Sequence, residues 1–280
     1  MDAILEKTMD LIRVAFGEDL QDAGDVTSDA IFEAEQDHYF LVAKQDGVLC
    51  GTKLFAGSFH YIDVNCRVNF NFKDGDRLCS GDRVAEVTGP IRSLLTAERV
   101  ALNFIAHLSG IATLTRRYVD AAASGGSTRI LDTRKTLAGL RLLQKYAVKC
   151  GGGTNHRMGL YDMVMIKDNH IDGAGGIGRA VEKVRKRWGN RFKIEVETRN
   201  LVEVKEALAN GVDVIMLDNM DLGEMRQAVA AIGGRAKTEA SGNMTIERIP
   251  EVAQTGVDYI SVGALTHSVP AFDFSFRKNS

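Results

Sequence analysis

The sequence lacks the features of a membrane protein, a cysteine-based metal site or a general nucleic-acid binder. No apolar run approaches the length of a bilayer-spanning helix. The cysteines, Cys50, Cys66, Cys79 and Cys150, form no CxxC pair and no His/Cys cluster of zinc-site spacing, so we expect a reduced, cytoplasmic compartment. A formal net charge of −2 argues against general nucleic-acid binding. The first residues combine early acidic side chains with helical periodicity, and we expect no secretory signal there.

The chain has an ordinary globular composition. Of its 280 residues, 45% are hydrophobic and 26% are charged, which suits one large or two modest domains. Residues 3–16 and 94–123 carry apolar side chains at helical spacing, and the Ser-Gly pair at 109–110 predicts a break or kink in the second helix. Residues 38–90 alternate as short strands around one helix, which predicts a small α+β unit. The GGST segment at 125–128 is the predicted boundary to a second domain.

From residue 129 onwards, short apolar strands alternate with helices. This alternation predicts a parallel sheet with right-handed crossovers. Each strand ends in polar or small residues, which favours a barrel over a doubly wound sheet. The visible units are fewer than the usual eight, so the barrel must be short, incomplete or completed elsewhere. The six strand segments are RILDTR, MVMIKDN, KIEVET, VIMLDN, KTEASG and YISVGA.

Positive charge is concentrated between residues 129 and 170, which hold eight Lys/Arg, three Asp and no Glu. The first two strands end in Arg134 with Lys135 and in Lys167, and the loop between them adds His156 and Arg157. Because strand ends converge on one site in such folds, we predict an anion-binding active site there. A solvated surface helix explains only the other charges of this stretch, Arg141, Lys145 and Lys149.

The other strand ends differ in chemistry. The third and fourth strands end in Glu197 and Asp218, and Glu195 shares a side of its strand with Glu197, so we expect one of these two to point inward. Carboxylates among cations suggest Mg²⁺, hydroxyl binding or stabilisation of a transient cation, or alternatively a structural ion-pair network. The last two ends, ASGN and SVGALTHS, predict a phosphate site built from backbone N–H groups. A phosphorylated sugar carrying a pyrophosphate, together with an organic acid, has groups that are complementary to all of these strand ends.

In these motifs the chain resembles the quinolinate phosphoribosyltransferases over nearly its whole length. DTRKT, GGGxxHR and KDNH, in this order and spacing, are the most specific segments. The resemblance implies an incomplete, seven-stranded α/β barrel at residues 126–269 and an N-terminal α+β sandwich domain at 1–125, on which the tail at 270–280 packs. It also implies conversion of quinolinate and phosphoribosyl pyrophosphate, with Mg²⁺, into nicotinate mononucleotide, pyrophosphate and CO₂. The partner it implies is a second copy of the chain in a homodimer, with a higher oligomer left open.

The resemblance also implies roles for individual residues. It assigns quinolinate binding to Arg134, His156, Arg157 and Lys167, with Arg99 donated across the dimer interface. It places Lys135 beside the pyrophosphate, and Glu197 and Asp218 near the ribose and the metal; with Lys167, these three form the catalytic set. It assigns the 5′-phosphate to Ser241, Gly242, Asn243, Gly263 and Ala264, with His267 beside them. Many members have two glycines where this chain has Gly242-Asn243, and Asn tolerates unusual backbone angles.

Three other functions stay open on the residues alone. A nicotinate-using phosphoribosyltransferase needs to bind one carboxylate fewer, and the surplus of cations disfavours it. A Schiff-base lyase would use Lys167 as its nucleophile. A ligand sensor would keep the barrel without turnover, but no output module is visible in the sequence.

Overall fold

The computed structural model describes residues 3–278, which divide into two compact units. Unit 1 comprises the chain up to Leu114, Leu142–Gly152 and the stretch from Ser268, and unit 2 comprises Thr115–Arg141 and Gly153–His267. Met1, Asp2, Asn279 and Ser280, which the predicted domains include, lie outside the described residues. The domain boundary at residue 125 stays a prediction. No helix in the described range is both long and apolar enough to cross a membrane.

Helices and strands occupy most of the chain. The elements before residue 151 are α1 (Ala3–Leu20), α2 (Ser28–Ile31), β1 (Gln36–Ala43), β2 (Gly47–Val48), α3 (Thr52–Ile62), β3 (Arg67–Phe70), β4 (Arg77–Leu78), β5 (Arg83–Pro90), α4 (Ile91–Ala122), β6 (Arg129–Leu131) and α5 (Arg141–Cys150). The later elements are β7 (Val164–Ile166), α6 (Asp168–Ala174), α7 (Ile177–Trp188), β8 (Ile194–Thr198), α8 (Leu201–Ala209), β9 (Val214–Asp218), α9 (Leu222–Ile232), β10 (Lys237–Ser241), α10 (Ile249–Ala253), β11 (Tyr259–Ser261), α11 (Ala264–His267) and β12 (Phe274–Lys278).

Unit 1 contains an antiparallel sheet of strand order β12-β1-β5-β3. Its last strand, β12, pairs with β1 from Tyr39 opposite Lys278 to Ala43 opposite Phe274. The aromatic side chains of α3 are fully buried in the core, where Phe55 and Phe59 lie with ring centroids 5.1 Å apart. Burial of each such ring contributes about 1.5–3 kcal/mol, so this core holds α3 against the sheet.

Helix α4 is continuous, so the predicted break at 109–110 is wrong. Ser109 Oγ accepts a hydrogen bond from the Cys50 N–H at 3.0 Å and donates one to the Cys50 carbonyl at 3.1 Å. A Cβ on Gly110 would collide with the carbonyl oxygen of Pro270. The two small residues therefore allow close packing instead of ending the helix. Helix α1 also extends to Leu20, past the predicted end at residue 16.

Unit 2 contains the predicted parallel sheet, in strand order β6-β11-β10-β9-β8-β7. A single parallel bridge from Leu131 to Thr154 adds a seventh position beside β6. The row of strands therefore ends at Thr154 on one side and at β7 on the other, and no pairing among the described residues joins these two ends. The incomplete α/β barrel is thereby confirmed. All carboxyl ends of these parallel strands lie at one edge.

Helix α5 differs from its prediction as a solvated surface helix. Lys145 is only 1% exposed, whereas Lys149 is exposed. Arg141 is half-buried and donates to Thr136 Oγ1 at 3.1 Å and to the Met158 carbonyl at 3.2 Å. The assignment of Lys145 to solvent was therefore wrong, because charge alone does not show which face of a basic helix is buried.

Candidate active site

Unit 2 brings nearly all of the predicted site residues to the carboxyl edge of its sheet. The cations come first: Arg134 and Lys135 follow β6, His156 and Arg157 follow the bridge at Thr154, and Lys167 follows β7. The carboxylates Glu197 and Asp218 lie at the ends of β8 and β9. Ser241 ends β10 and is followed by Gly242 and Asn243, and Gly263, Ala264 and His267 follow β11. The register supports this grouping, since Ile166 pairs with Val196 and Ser241 pairs with Asp218. Arg99 is the exception: it is exposed on α4 in unit 1.

An ion pair lies at the ends of β7 and β8. Lys167 Nζ is 2.7 Å from Glu197 Oε2, with 44% of the lysine side chain and 14% of the glutamate side chain exposed. The Lys167 N–H donates to His170 Nδ1 at 3.0 Å, which fixes the backbone at the start of α6. We name Lys167 and Glu197 the mouth pair. An ion pair this accessible contributes little to stability and is free to exchange partners with a charged substrate.

A second ionic group includes the glutamate two residues earlier on β8 and is almost fully buried. His156 Nε2 is 3.2 Å from Glu195 Oε2 and 3.4 Å from Glu239 Oε2, and the three side chains are 6%, 1% and 2% exposed. We name these three residues the buried trio. Glu195 and Glu197 do share a side of β8, with Glu195 the more deeply buried of the two.

Burial and charge shift the titration of the buried trio. Burial alone would lower the pKa of His156, but the hydrogen bonds and charges of Glu195 and Glu239 outweigh it and raise that pKa to about 10. Burial, and then the charge of Glu239, raises the pKa of Glu195 to about 7. The Arg157 N–H donates to His156 Nδ1 at 2.7 Å, which favours an unprotonated Nδ1 and opposes the two carboxylates, which favour the imidazolium. An imidazolium with two carboxylates, or a neutral imidazole with one carboxylate and one carboxylic acid, both leave one net negative charge.

The position of His156 bears on its predicted role. Both ring nitrogens face protein groups: Nε2 faces two carboxylates, and Nδ1 accepts the Arg157 N–H. Direct binding of quinolinate by His156 stays a prediction. The geometry supports a role for this ring in holding the loop that carries Arg157.

Asp132 also orders this loop, and sequence reasoning missed it. It is fully buried, accepts the His156 N–H at 2.9 Å and accepts from Asn155 Nδ2 at 2.5 Å. Its position inside the strand motif ILDTR was a signal, because a buried aspartate needs hydrogen-bond partners. Glu239 was missed as well, although it lies in the predicted strand KTEASG.

Two guanidinium groups lie near each other at this edge. Burial and the nearby charge of Arg134 lower the pKa of Arg157, against the opposing charge of Glu195. Arg157 Nη1 donates to the Met163 carbonyl at 3.1 Å, which orients the group. Like charges held together repel, so an anion bound between them would be favourable.

Glycine and asparagine shape the loops after β9 and β10. Gly242 has φ +97°, and a Cβ there would collide with Asn219. Asn243 has φ +44° and Asn219 has φ +55°, so the expectation that Asn243 tolerates an unusual backbone angle is confirmed. Arg248, which sequence reasoning missed, donates to the Gly242 carbonyl at 3.3 Å and to the Met220 carbonyl at 3.2 Å. Arg248 therefore links the loop after Asp218 to the predicted phosphate loop.

The last strand end brings Lys135 close to the second glycine loop. A Cβ on Gly263 would come within 3.1 Å of both Lys135 Cδ and His267 Nε2. The Thr266 hydroxyl donates to the Lys135 carbonyl at 2.8 Å. Lys135 and His267 therefore flank Gly263, and Lys135 offers positive charge beside its backbone.

The carboxylates at the ends of β8 and β9 suit a hard divalent cation. Glu197 Oε2 contacts Lys167, and Asp218 Oδ2 accepts from Asn219 Nδ2 at 2.7 Å. Glu197 Oε1 and Asp218 Oδ1 accept no hydrogen bond from the described part of the chain. Carboxylate oxygens of this kind, completed by water and phosphate, are the ligands that Mg²⁺ prefers.

An open parallel barrel with cations, two carboxylates and glycine loops at one edge is the architecture of an enzyme acting on phosphorylated sugars. Family models identify the family to which this enzyme belongs. Residues 25–109 match "Quinolinate phosphoribosyl transferase, N-terminal domain", and residues 111–277 match the corresponding C-terminal domain. The chain belongs to the quinolinate phosphoribosyltransferase family.

Individual relatives agree with this family. The chain is 47% identical to the chloroplastic nicotinate-nucleotide pyrophosphorylase [carboxylating] of Arabidopsis thaliana, over 95% of this chain and 81% of that protein. It is 46% identical to a probable nicotinate-nucleotide pyrophosphorylase [carboxylating] of Bacillus subtilis, over 90% and 87%. Among solved structures, it superposes on NadC from Streptococcus pyogenes with a TM-score of 0.95 at 44% identity, covering 99% of this chain and 98% of that one.

Proposed function

We propose that the protein transfers the phosphoribosyl group of phosphoribosyl pyrophosphate to quinolinate with decarboxylation. The products are nicotinate mononucleotide, pyrophosphate and CO₂, so the protein is a pentosyltransferase of NAD biosynthesis. The observation that carries this proposal is the grouping, at one edge of unit 2, of the cations Arg134, Arg157 and Lys167 with the carboxylates Glu197 and Asp218. Membership of the quinolinate phosphoribosyltransferase family supports the same reaction.

The cations bind the two carboxylates of quinolinate. Arg134 and Arg157 lie close enough for each charge to affect the other, and their guanidinium groups suit bidentate contacts to carboxylates. Lys167 exchanges its contact with Glu197 for one with the substrate. These contacts align the ring nitrogen with the ribose C1, and such alignment is a large part of catalysis in a two-substrate reaction.

The carboxylates act on the ribose. Departure of pyrophosphate leaves positive charge at C1, and a negative group fixed nearby stabilises that charge without reorganisation. Glu197 and Asp218 supply this field from adjacent strands, with Glu197 more available once Lys167 has moved to the substrate. Lys135, beside Gly263, offsets negative charge on the leaving pyrophosphate.

Glu197 and Asp218 would also hold Mg²⁺, directly or through water and substrate hydroxyls. When bound, this ion supplies positive charge that offsets the charge of the pyrophosphate. The loops of Ser241–Asn243 and Gly263–Ala264 bind the 5′-phosphate through backbone N–H groups, with His267 beside them.

Decarboxylation follows from alkylation of the ring nitrogen. The pyridinium ring withdraws electrons from the adjacent carbon, which weakens its bond to the carboxylate. The protein holds the quinolinate mononucleotide in place while CO₂ leaves. The electron pair of the broken bond stays on the ring carbon, which takes a proton from water, so no dedicated general base is required.

The assembly is part of the proposal. Arg99 is exposed on α4, and we propose that it reaches the active site of a second subunit in a homodimer that acts in the cytoplasm. The rival Schiff-base mechanism is disfavoured by the mouth pair, because an ammonium 2.7 Å from Glu197 is not a free amine nucleophile.

The test is an assay of the purified protein with phosphoribosyl pyrophosphate, Mg²⁺ and quinolinate, with nicotinate replacing quinolinate in a parallel reaction. We expect mononucleotide and CO₂ from quinolinate and no product from nicotinate. Product from nicotinate alone would overturn the assignment of the dicarboxylate. Binding of quinolinate without product in either reaction would favour the ligand sensor.

A matched pair of variants tests the role of Arg99. Arg99→Ala should lose activity, whereas Arg92→Ala, on the same helix but paired with Asp29 at 2.6 Å, should keep most of it. Mixing inactive Arg99→Ala with inactive Lys167→Ala should restore part of the activity if the two residues meet across a subunit interface. No restoration, with subunit exchange demonstrated, would contradict donation across the interface.

A further inference from the structure

A pair of cysteines lies in unit 1, apart from the residues assigned to the reaction. Cys50 is fully buried just before α3, and Cys150 is half-buried as the last residue of α5. The two sulfur atoms and an Asp74 carboxylate oxygen all lie within 4.8 Å of one another. This proximity is produced by folding, because the cysteines are far apart in the sequence.

The surroundings fix Cys50 and the neighbouring Asp74. The Cys50 backbone is held at both its N–H and its carbonyl by Ser109 Oγ. Asp74 Oδ1 accepts the N–H groups of Gly51 and Thr52 at 3.0 Å each, and Oδ2 accepts the Tyr146 hydroxyl at 2.8 Å. Both oxygens of Asp74 are therefore engaged, one at the start of α3 and the other by Tyr146 of α5. The two thiols are the remaining reactive groups, and each is the other's neighbour.

The two thiols differ in acidity. Hydrogen bonding with Cys150, and then burial, raises the pKa of Cys50. Hydrogen bonding with Cys50 lowers the pKa of Cys150, against burial and the charge of Asp74. Because Cys150 is half-buried and Cys50 is fully buried, a peroxide reaches the Cys150 sulfur first, and Cys50 is the thiol placed to react with it.

We propose that Cys50 and Cys150 form a reversible disulfide when the protein meets a hydroperoxide, so that this pair is a redox modification site in unit 1. The Cys150 thiolate attacks one peroxide oxygen, the O–O bond breaks, and water leaves after proton uptake. The resulting sulfenic acid is attacked by the Cys50 sulfur, which forms the S–S bond and releases a second water. Two thiols lose two electrons and two hydrogens, and one hydrogen peroxide becomes two waters.

The other two cysteines are internal controls for this proposal. Cys66 is buried, and burial followed by the charge of Asp63 raises its pKa to about 11. Cys79 is exposed. Burial alone therefore predicts protection of Cys66, and exposure alone predicts preferential oxidation of Cys79, whereas the proposal predicts that Cys50 and Cys150 react together.

The experiment treats the full chain with hydrogen peroxide, alkylates the remaining thiols with N-ethylmaleimide under denaturing conditions, and maps the peptides by mass spectrometry. We expect a linked Cys50–Cys150 peptide that dithiothreitol releases, with Cys66 and Cys79 still alkylated. Oxidation of Cys79 while Cys50 and Cys150 remain alkylated would overturn the proposal. Co-purification of one zinc ion held by the two thiols would also overturn it, since the site would then be a metal site.

Variants separate the two steps. In Cys50→Ser, the Cys150 sulfenic acid should persist and be trapped by dimedone, because its resolving thiol is absent. In Cys150→Ser, Cys50 should stay reduced under the same peroxide treatment. Rapid oxidation of Cys50 in Cys150→Ser would reverse the assigned order of attack and overturn the proposed mechanism.

Discussion

The buried trio and the mouth pair place the same chemistry at two depths of one strand. Glu195 and Glu197 are two residues apart on β8 and share a side, and each faces a basic side chain. Glu195 is 1% exposed and meets a histidine that is 6% exposed, whereas the lysine that Glu197 meets is 44% exposed. The two groups therefore differ mainly in how exposed their side chains are, and this difference suggests different roles for them.

The difference in depth has an energetic consequence. A buried charge is costly unless it is paired, so the buried trio must stay together in the folded protein. The mouth pair is solvated and contributes little to stability. We infer that the deep group maintains the shape of the barrel and the loop of Arg157, while the shallow group meets the substrate.

The largest expected effect on stability comes from removing His156, the basic side chain of the buried trio. His156→Ala leaves Glu195 and Glu239 facing each other without a partner, and we expect a loss of about 3–5 kcal/mol in the free energy of unfolding. Chemical denaturation measures it. Lys167→Ala is the matched control and should lose less than about 1 kcal/mol. Equal losses in the two variants would remove the distinction between the groups.

Asp218→Asn should affect catalysis and leave stability nearly intact. The substitution removes the negative charge that we propose lies beside the ribose, and we expect kcat to fall by about 10²–10³-fold, or about 3–4 kcal/mol. Steady-state kinetics with both substrates measures this loss. Asp213→Asn is the control, since Asp213 lies at the other end of β9 and accepts the Ile194 N–H at 2.8 Å. A kcat for Asp218→Asn close to that of the unmodified protein would contradict the assigned role.

The stability of the protein should fall as pH rises above neutrality. The pKa of His156 is raised from 6.5 to about 10, so its contribution is fully present below pH 6.5 and is lost as pH rises through about 10. We expect a loss of about 3 kcal/mol from this group by pH 9.5 relative to pH 7. Glu239→Gln should flatten this slope. The same slope in both proteins would show that other groups cause it.

Arg248→Met should have the smallest effect of the four. Arg248 donates to carbonyls in two strand-end loops, and losing one such link costs about 1 kcal/mol. We expect the KM for phosphoribosyl pyrophosphate to rise about five-fold, with little change in kcat. Arg235→Met is the control, because Arg235 also donates to two carbonyls, those of Ile232 and Ala231 near the end of α9. A similar KM change in both variants would contradict a local role for Arg248.

The repeating strands and their ends could be predicted because both signals are local. Each apolar strand precedes its own polar end, and a parallel sheet brings these ends to one edge. The sequence could not show how deeply a side chain is buried. Lys145 was predicted to be a solvated helix residue, yet it is buried. Ser109 and Gly110 read as a break, but close packing retains the helix through them.

Residues that act through distant partners were also beyond sequence reasoning. Glu239 joins the buried trio from another strand, and Arg248 reaches two loops that precede it. Cys50 and Cys150 show no motif spacing, because folding alone brings their sulfur atoms together. Such contacts depend on the pairing of elements, which local patterns do not encode.

The most direct test of the proposed reaction follows the two carboxyl groups of quinolinate separately. Quinolinate labelled in the 2-carboxyl group is turned over with phosphoribosyl pyrophosphate and Mg²⁺, and the label in CO₂ is compared with the nicotinate mononucleotide formed. The account predicts one labelled CO₂ for each mononucleotide, and no labelled CO₂ when the 3-carboxyl group carries the label. Mononucleotide without CO₂, or labelled CO₂ from the 3-carboxyl group, would contradict it.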